Sequence, residues 1–115
     1  MARIRTIKPS MWGDEKFARV SRDARLLFVG LISMADDDGR FLASPAAVIG
    51  YLYPNDDDVT VPKFRRGWSE LTSVGLIVPY DHEGIRYGAL LHFRRHQRIS
   101  HPQVSALPAP QGCLL

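Results

Sequence analysis

The stretch that decides the fold is VPKFRRGWSELTSVG, residues 61–75. Its second residue is a proline, which suits the first turn of a helix, and Phe64, Trp68 and Leu71 recur at helical spacing. At 100° per residue these three side chains fall within about 60° of one another, and Arg66 points almost directly away. The stretch therefore predicts a helix with an apolar inner face, held by Trp68 against an earlier helix, and a cationic outer face.

Two earlier helices are predicted upstream. Ser21 is a good N-cap for a helix over residues 22–35, where apolar side chains again recur at helical spacing. Acidic turn residues and a glycine follow, and RFLA at 40–43 has room only for a short strand. Ser44 then caps a second helix that begins with Pro45, contains Tyr51 on its apolar face and ends at the next proline.

The segment after residue 75 predicts a β-hairpin. LIVPY at 76–80 reads as a strand, DHEG at 81–84 as a tight turn, and IRYGALLHF at 85–93 as the returning strand. Helix, short strand, two helices and a hairpin is the order of a winged helix-turn-helix. We therefore expect an α+β fold with three main helices, a short strand and a C-terminal β-hairpin wing, in which the helix after residue 60 is the recognition helix.

The chain length suits one domain with flanking segments. Residues 1–20 predict an extended lead-in, with a short helical turn near its end, that packs on the core through Ile7, Trp12 and Phe17. Residues 21–93 form the winged-helix domain. Residues 94–115 are a basic, proline-containing tail with few apolar residues, and we expect it to be extended and dispensable for folding.

Charge is distributed unevenly along the chain. Residues 1–60 carry eight Lys or Arg against nine Asp or Glu, whereas residues 61–115 carry seven against three. The net charge of +3 is compatible with a polyanionic partner without requiring one. The longest apolar run is about half of what a membrane span needs, no signal-peptide pattern is present, and the single cysteine suits a reducing compartment. We expect a cytoplasmic protein with no membrane partner.

Two aspartate triplets, residues 36–38 and 56–58, raise the question of a metal site. Turn and capping chemistry explains both more simply, because each triplet lies between predicted elements. Three histidines and Cys113 near the C-terminus match no zinc-ligand spacing. No phosphate loop or nucleophile motif is present, so we expect no metal, no cofactor, no catalytic residues and no enzymatic activity.

Candidate DNA-binding residues fall into three groups. The recognition helix contributes the residues that lie away from or beside its apolar stripe. The hairpin contributes Arg86 next to an acidic turn that suits phosphate poorly, and the basic exit from the last strand can follow a DNA backbone. The predicted set is Lys63, Arg65, Arg66, Ser69, Ser73, Arg86, Arg94, Arg95 and Arg98.

Five segments in order resemble the N-terminal winged-helix domain of phage and prophage replication proteins, including replisome organisers. They are RIRTIKPSMWGDEKF at 3–17, DARLLFVGLISMADDDGRF at 23–41, LYPNDDD at 52–58, ELTSVGLIVPY at 70–80 and HFRRHQRISHP at 92–102. The resemblance implies a non-catalytic module that binds double-stranded DNA in the initiation of phage DNA replication or its regulation.

A second interpretation stays open at this point. Winged helices also present the same surface to proteins, and Glu70, Asp81 and Glu83 place acids around the expected DNA face. The chain could then bind or inhibit a host replication or defence complex. The sequence decides neither the oligomeric state nor the DNA sequence bound.

Overall fold

The computed structural model describes residues 3–110, which form helices and one antiparallel sheet. Within this range no helix has the length and apolar character needed to cross a membrane. The elements are a 3-10 helix Pro9–Gly13, the helices α1 (Glu15–Ala18), α2 (Arg22–Met34), α3 (Pro45–Leu52), α4 (Val61–Ser73) and α5 (Phe93–His96), and the strands β1 (Arg40–Leu42), β2 (Ile77–His82) and β3 (Ile85–Leu90).

Side-chain caps begin the three main helices, and two of them are the serine caps that the sequence predicts. The Ser21 hydroxyl accepts from the backbone N–H of Ala24 at the start of α2, and Ser44 does the same at the start of α3. Thr60 caps α4 by accepting from the N–H of Lys63. Each cap satisfies a backbone donor that the first helical turn leaves unpaired.

The three strands pair in the order β1-β3-β2, with both pairs antiparallel. The hairpin between β2 and β3 turns through Glu83 and Gly84, which both have positive φ, as a two-residue hairpin turn of the right twist requires. The α+β class, the short strand and the hairpin are thus confirmed, but the returning strand ends at Leu90 and not at Phe93, which begins α5.

The core lies between α2, α4 and the inner face of the sheet. Its fully buried members include Leu31 of α2, Phe41 of β1, Leu71 of α4 and Ile77 of β2. Gly88 of β3 lies beneath two aromatic rings, since a Cβ there would approach the Phe41 ring to 2.6 Å. The sheet therefore accepts no side chain at that position.

Two sequence predictions about apolar anchors are wrong. Of the three anchors predicted in the lead-in only Phe17 is buried, at 2% exposure, whereas Trp12 is 62% exposed and Ile7 is 39% exposed. The 3-10 helix, which the sequence does not predict, turns Met11 toward the core and leaves Trp12 lying edge-on against Phe17. Tyr51 is likewise half exposed, whereas Val48, which belongs to the same predicted apolar face of α3, is fully buried as expected.

The acidic turn, residues 36–38 between α2 and β1, is built by its own side chains. Asp36 accepts from the backbone N–H groups of Asp38 and Arg40, at 2.9 and 3.0 Å, and from the hydroxyl of Ser105. The first two bonds are the local turn chemistry predicted from sequence. The third comes from the C-terminal tail, which sequence periodicity does not reveal.

Asp37 is the buried centre of this turn. Its carboxylate lies 3.1 Å from Nη2 of Arg5 and 3.5 Å from Nη2 of Arg3, and it accepts from the backbone N–H of Gln103 at 2.9 Å. The side chains of Arg5 and Asp37 are 4% and 3% exposed. Arg5 also lies over the ring of Phe93 and donates to a backbone carbonyl. One buried carboxylate thus joins the N-terminal segment, the α2–β1 turn and the C-terminal tail.

The tail is fastened to the body, contrary to the expectation that it is dispensable. The side chain of Gln97 is buried and exchanges hydrogen bonds with the backbone of Thr6. Further along, Ser105 N–H donates to Asp38, Arg40 donates to the Leu107 carbonyl, and Tyr80 donates to the Pro108 carbonyl. The tail has no periodic apolar face, and polar bonds to the acidic turn and the sheet hold it in place instead.

We predict that Asp37→Asn lowers the free energy of unfolding by about 3–5 kcal/mol, because it leaves two arginines beside an uncharged buried group. The hydrogen bond from the Gln103 backbone N–H, together with the guanidinium groups of Arg5 and Arg3, holds the pKa of Asp37 below its ordinary value, although burial opposes this effect. The carboxylate therefore contributes its stability above the unfolded-state pKa, and that contribution disappears as pH falls through the lower folded-state pKa. Urea titrations across acidic pH check this. Asp57→Asn, at an exposed position, should behave as the parent does.

We also predict that deleting residues 99–115 lowers the free energy of unfolding by about 2–5 kcal/mol, since at least four hydrogen bonds to the body are lost. Thermal unfolding followed by circular dichroism measures the effect. An unchanged midpoint in the shortened chain would show that the tail is not bound to the body in solution.

Candidate nucleic-acid interface

Helix α4 packs on the rest of the protein through Gly67 on one side and Trp68 on the other. Gly67 faces α2, where an added Cβ would lie 3.2 Å from Leu27, so the two helices approach closely. Trp68 packs edge-on against Phe41 and beside Phe64, over the sheet, and is only partly buried. Gly67 thus makes a close contact with α2, and the expectation that Trp68 holds α4 against that helix stays a prediction.

The opposite side of α4 forms the outward stripe, defined as Arg65, Arg66, Ser69 and Ser73, all exposed. The first two form no ion pair within residues 3–110. No carboxylate belongs to the stripe. The Ser73 hydroxyl donates to the Glu70 carbonyl at 2.9 Å, and that of Ser69 makes no bond within the same range. The stripe thus offers two unpaired guanidinium groups and one unpaired hydroxyl.

Lys63 lies at the N-terminal edge of the stripe. Its ammonium is 3.7 Å from the carboxylate of Asp58, and both side chains are at least half exposed. A pair of this kind contributes about 0–1 kcal/mol and opens readily. Lys63 can therefore turn to another anion without a structural cost.

Glu70 does not belong to the outer surface as its sequence position indicated. Its carboxylate accepts from both the backbone N–H and the hydroxyl of Ser21, each at 2.8 Å. A residue of α4 thus completes the cap of α2. Because this carboxylate is hydrogen-bonded to Ser21, we expect it to repel an anionic partner less than the sequence suggested.

The same contact brings in two arginines that sequence reasoning missed. Arg22 follows Ser21 and Arg19 precedes it by two residues, so both are close in the chain to the residue that Glu70 binds. Both are exposed and free of ion pairs within the described residues. Sequence reasoning could not find them, because a contact between residues 49 positions apart leaves no local sequence pattern.

The hairpin turn is a weak partner for phosphate. Nε of Arg86 lies 2.6 Å from the carboxylate of Asp81, its cross-strand neighbour, and His82 lies 3.9 Å from Glu83. All four side chains are exposed. The turn presents paired rather than free charge.

The three tail arginines are not alike. Arg94 is structural, since its guanidinium donates to the Asp37 carbonyl at 2.7 Å and to the Asp38 carboxylate at 2.8 Å. Arg95 and Arg98 are exposed and make no ion pair within residues 3–110. No side-chain hydrogen bond or ion pair in that range connects these arginines to α4 or the hairpin turn. Five of the predicted site residues therefore share one helix, α4: Lys63, Arg65, Arg66, Ser69 and Ser73. The three tail arginines make no side-chain bond to them within residues 3–110.

No protein-family model, curated protein or solved structure matches this chain. The likeness to phage replication proteins accordingly stays a prediction from sequence. The case for a function depends on the geometry described above.

We predict that Ser21→Ala and Glu70→Ala each lower the free energy of unfolding by about 0.5–2 kcal/mol, because each removes a helix cap bond. The double variant should lose less than the sum of the two, since the groups bond to each other. A double-mutant cycle from urea titrations measures the coupling. Strict additivity would show that the bond between the two helices is not formed.

Proposed function

We propose that this chain is a non-catalytic, winged-helix DNA-binding domain that inserts α4 into the major groove of duplex DNA. Support for the fold comes from the element order and from the strand order β1-β3-β2, in which β1 joins the hairpin as the third strand. In helix-turn-helix domains the second helix of the pair is the one whose side chains reach base edges. Here α3 and α4 are that pair.

The observation that carries the proposal is the outward stripe. Two arginines without ionic partners, Arg65 and Arg66, stand on the exposed side of α4 with serines and no carboxylate. Arginine is the side chain best suited to a bidentate contact with guanine, and serine can bond to either bases or phosphates. Arg19 and Arg22 at the flank are in position to contact the DNA backbone beside the groove.

The resemblance to phage and prophage replication proteins gives the proposal its biological setting. We propose a role in the initiation of phage DNA replication, or in its regulation, inside the bacterial cytoplasm. Transcriptional regulation would use the same helix in the same groove. Arg95 and Arg98 remain predicted backbone contacts, whereas Arg94 is better assigned to the acidic turn, where it already has two acceptors.

The acids of the hairpin turn favour a second function, binding of a host or phage protein through the same surface. Asp81 and Glu83 are exposed where a winged helix that grips phosphate would carry cations. A charge-paired turn of this kind is as compatible with a protein partner as with a nucleic acid.

We predict that Arg66→Glu abolishes measurable duplex binding and that Arg66→Ala weakens it by about 1–3 kcal/mol. Arg66→Lys is the matched control, because lysine keeps the charge and loses the bidentate geometry. If Arg66 reads a guanine, lysine should fail like alanine on the preferred sequence; if it contacts phosphate, lysine should bind nearly as the parent does. Fluorescence anisotropy with a library-selected duplex measures both.

Salt dependence provides the second arm of this experiment. Arg22→Ala should weaken binding evenly across sequences and reduce the slope of log affinity against log salt by about 0.9. All variants should unfold like the parent, because the altered side chains are exposed. A parent protein that binds no duplex at about 50 mM salt, where phosphate contacts are strong, would overturn the DNA proposal and favour the protein-binding one.

A further inference from the structure

A groove of about 460 Å³ lies on a part of the molecule that the outward stripe does not use. It runs between the N-terminal segment, α2, the start of β2 and α5, and no residue of α4 lines it. Its apolar floor includes Met11, Phe17, Phe28, Ile32, Leu76 and Leu90. A groove of this size and lining can bury one or two large apolar side chains.

The edge of the groove is basic. Lys8, Lys16, His92 and His96, the basic rim, line it and are all exposed. Among the described residues one carboxylate lines the groove, that of Asp14, which caps α1 by accepting from the backbone N–H of Lys16 at 3.1 Å. No member of the rim forms an ion pair within residues 3–110. The rim therefore combines more basic groups than acidic ones with an apolar floor.

Two further features of α5 belong to this site. His92 has a left-handed backbone, with φ at 56°, and its side chain does not cap the helix. Partial burial, and then the charges of Lys8, Arg95 and His92, lower the pKa of His96, while Asp14 opposes them. Crowded positive charge is a feature that a bound anion would offset.

We propose that this groove binds an acidic peptide segment of a partner protein, which buries one or two large apolar side chains on the floor and places carboxylates at the basic rim. Charge complementarity selects an acidic partner, and the concave apolar floor selects a peptide. Duplex DNA would meet the rim with its phosphates but has no protruding apolar group to fill the floor. The site stands independently of DNA binding by α4.

The test begins with a phage-displayed library of random 12-residue peptides, selected on the full-length protein. We expect enriched sequences that combine several Asp or Glu with at least one Phe, Leu, Trp or Met. The best of them is then measured by fluorescence anisotropy against two controls, one with the apolar anchors changed to Ser and one with the acids changed to Gln. Both controls should bind at least about tenfold more weakly.

Charge reversal on the protein locates the site. Lys8→Glu with Lys16→Glu should weaken the selected peptide by about tenfold or more. Arg65→Glu with Arg66→Glu is the matched control, since it reverses the same amount of charge outside the groove and should leave peptide binding unchanged. In the duplex-binding assay the reversal of Arg65 and Arg66 should weaken binding, and the reversal of Lys8 and Lys16 should not. The two proposed functions can therefore fail separately. Thermal unfolding verifies that both double variants fold.

The pH dependence adds a readout specific to the rim. A bound carboxylate raises the pKa of His96, so binding takes up a proton and should tighten as pH falls from about 7.5 to 5.5. His96→Gln should reduce this dependence. The facing charges of Lys8, Arg95, His92 and Asp14 remain in that variant.

Three results would overturn the proposal. Selected peptides that lack either acids or apolar anchors would do so, as would equal binding of the Ser-substituted control. Tighter binding of a single-stranded oligonucleotide, lost on the same lysine reversals, would reassign the groove to nucleic acid.

Discussion

The buried carboxylate of Asp37 is the constraint on which the rest of the structure depends. A charge at this depth is tolerated only with opposite charge and hydrogen bonds around it. Here Arg5 and Arg3 come from the start of the chain and the Gln103 amide from its end. Satisfying one side chain therefore closes both flanking segments over the junction of α2 and β1, and the groove beside α5 exists because those segments are held there.

Internal use of carboxylates also shapes the outer surface. Asp37 and Asp38 bind the tail and Arg94, and Glu70 completes the cap of α2. Glu70 is thus bound to Ser21, Asp81 and Glu83 stay exposed at the hairpin turn, and Arg65 and Arg66 have no ionic partner among residues 3–110. Two surfaces that carry cations therefore differ in shape: the exposed face of α4, where we propose DNA binding, and the groove beside α5, where we propose peptide binding.

The candidate site contains some residues whose exposure follows from local periodicity and others whose role depends on a partner distant in the chain. The helical phase of residues 61–75 was readable because Phe64 and Leu71 repeat at 3.6-residue spacing, so the exposure of Arg66 followed. The roles of Arg94 and Glu70 were not readable. Each is decided by a partner far away in the chain, the acidic turn in one case and Ser21 in the other.

Sequence by itself determined much of the local structure of this protein: the caps at Ser21 and Ser44, the order of the three main helices and the three strands, and the hairpin turn at Gly84. It did not predict the 3-10 helix or α5. Caps, periodicity and turn residues act over a few positions, so their effect can be read directly from the residues. Only the tertiary structure decided which cations are free, because ion pairs, burial and the fastening of a polar tail to Asp37 depend on groups that folding alone brings together.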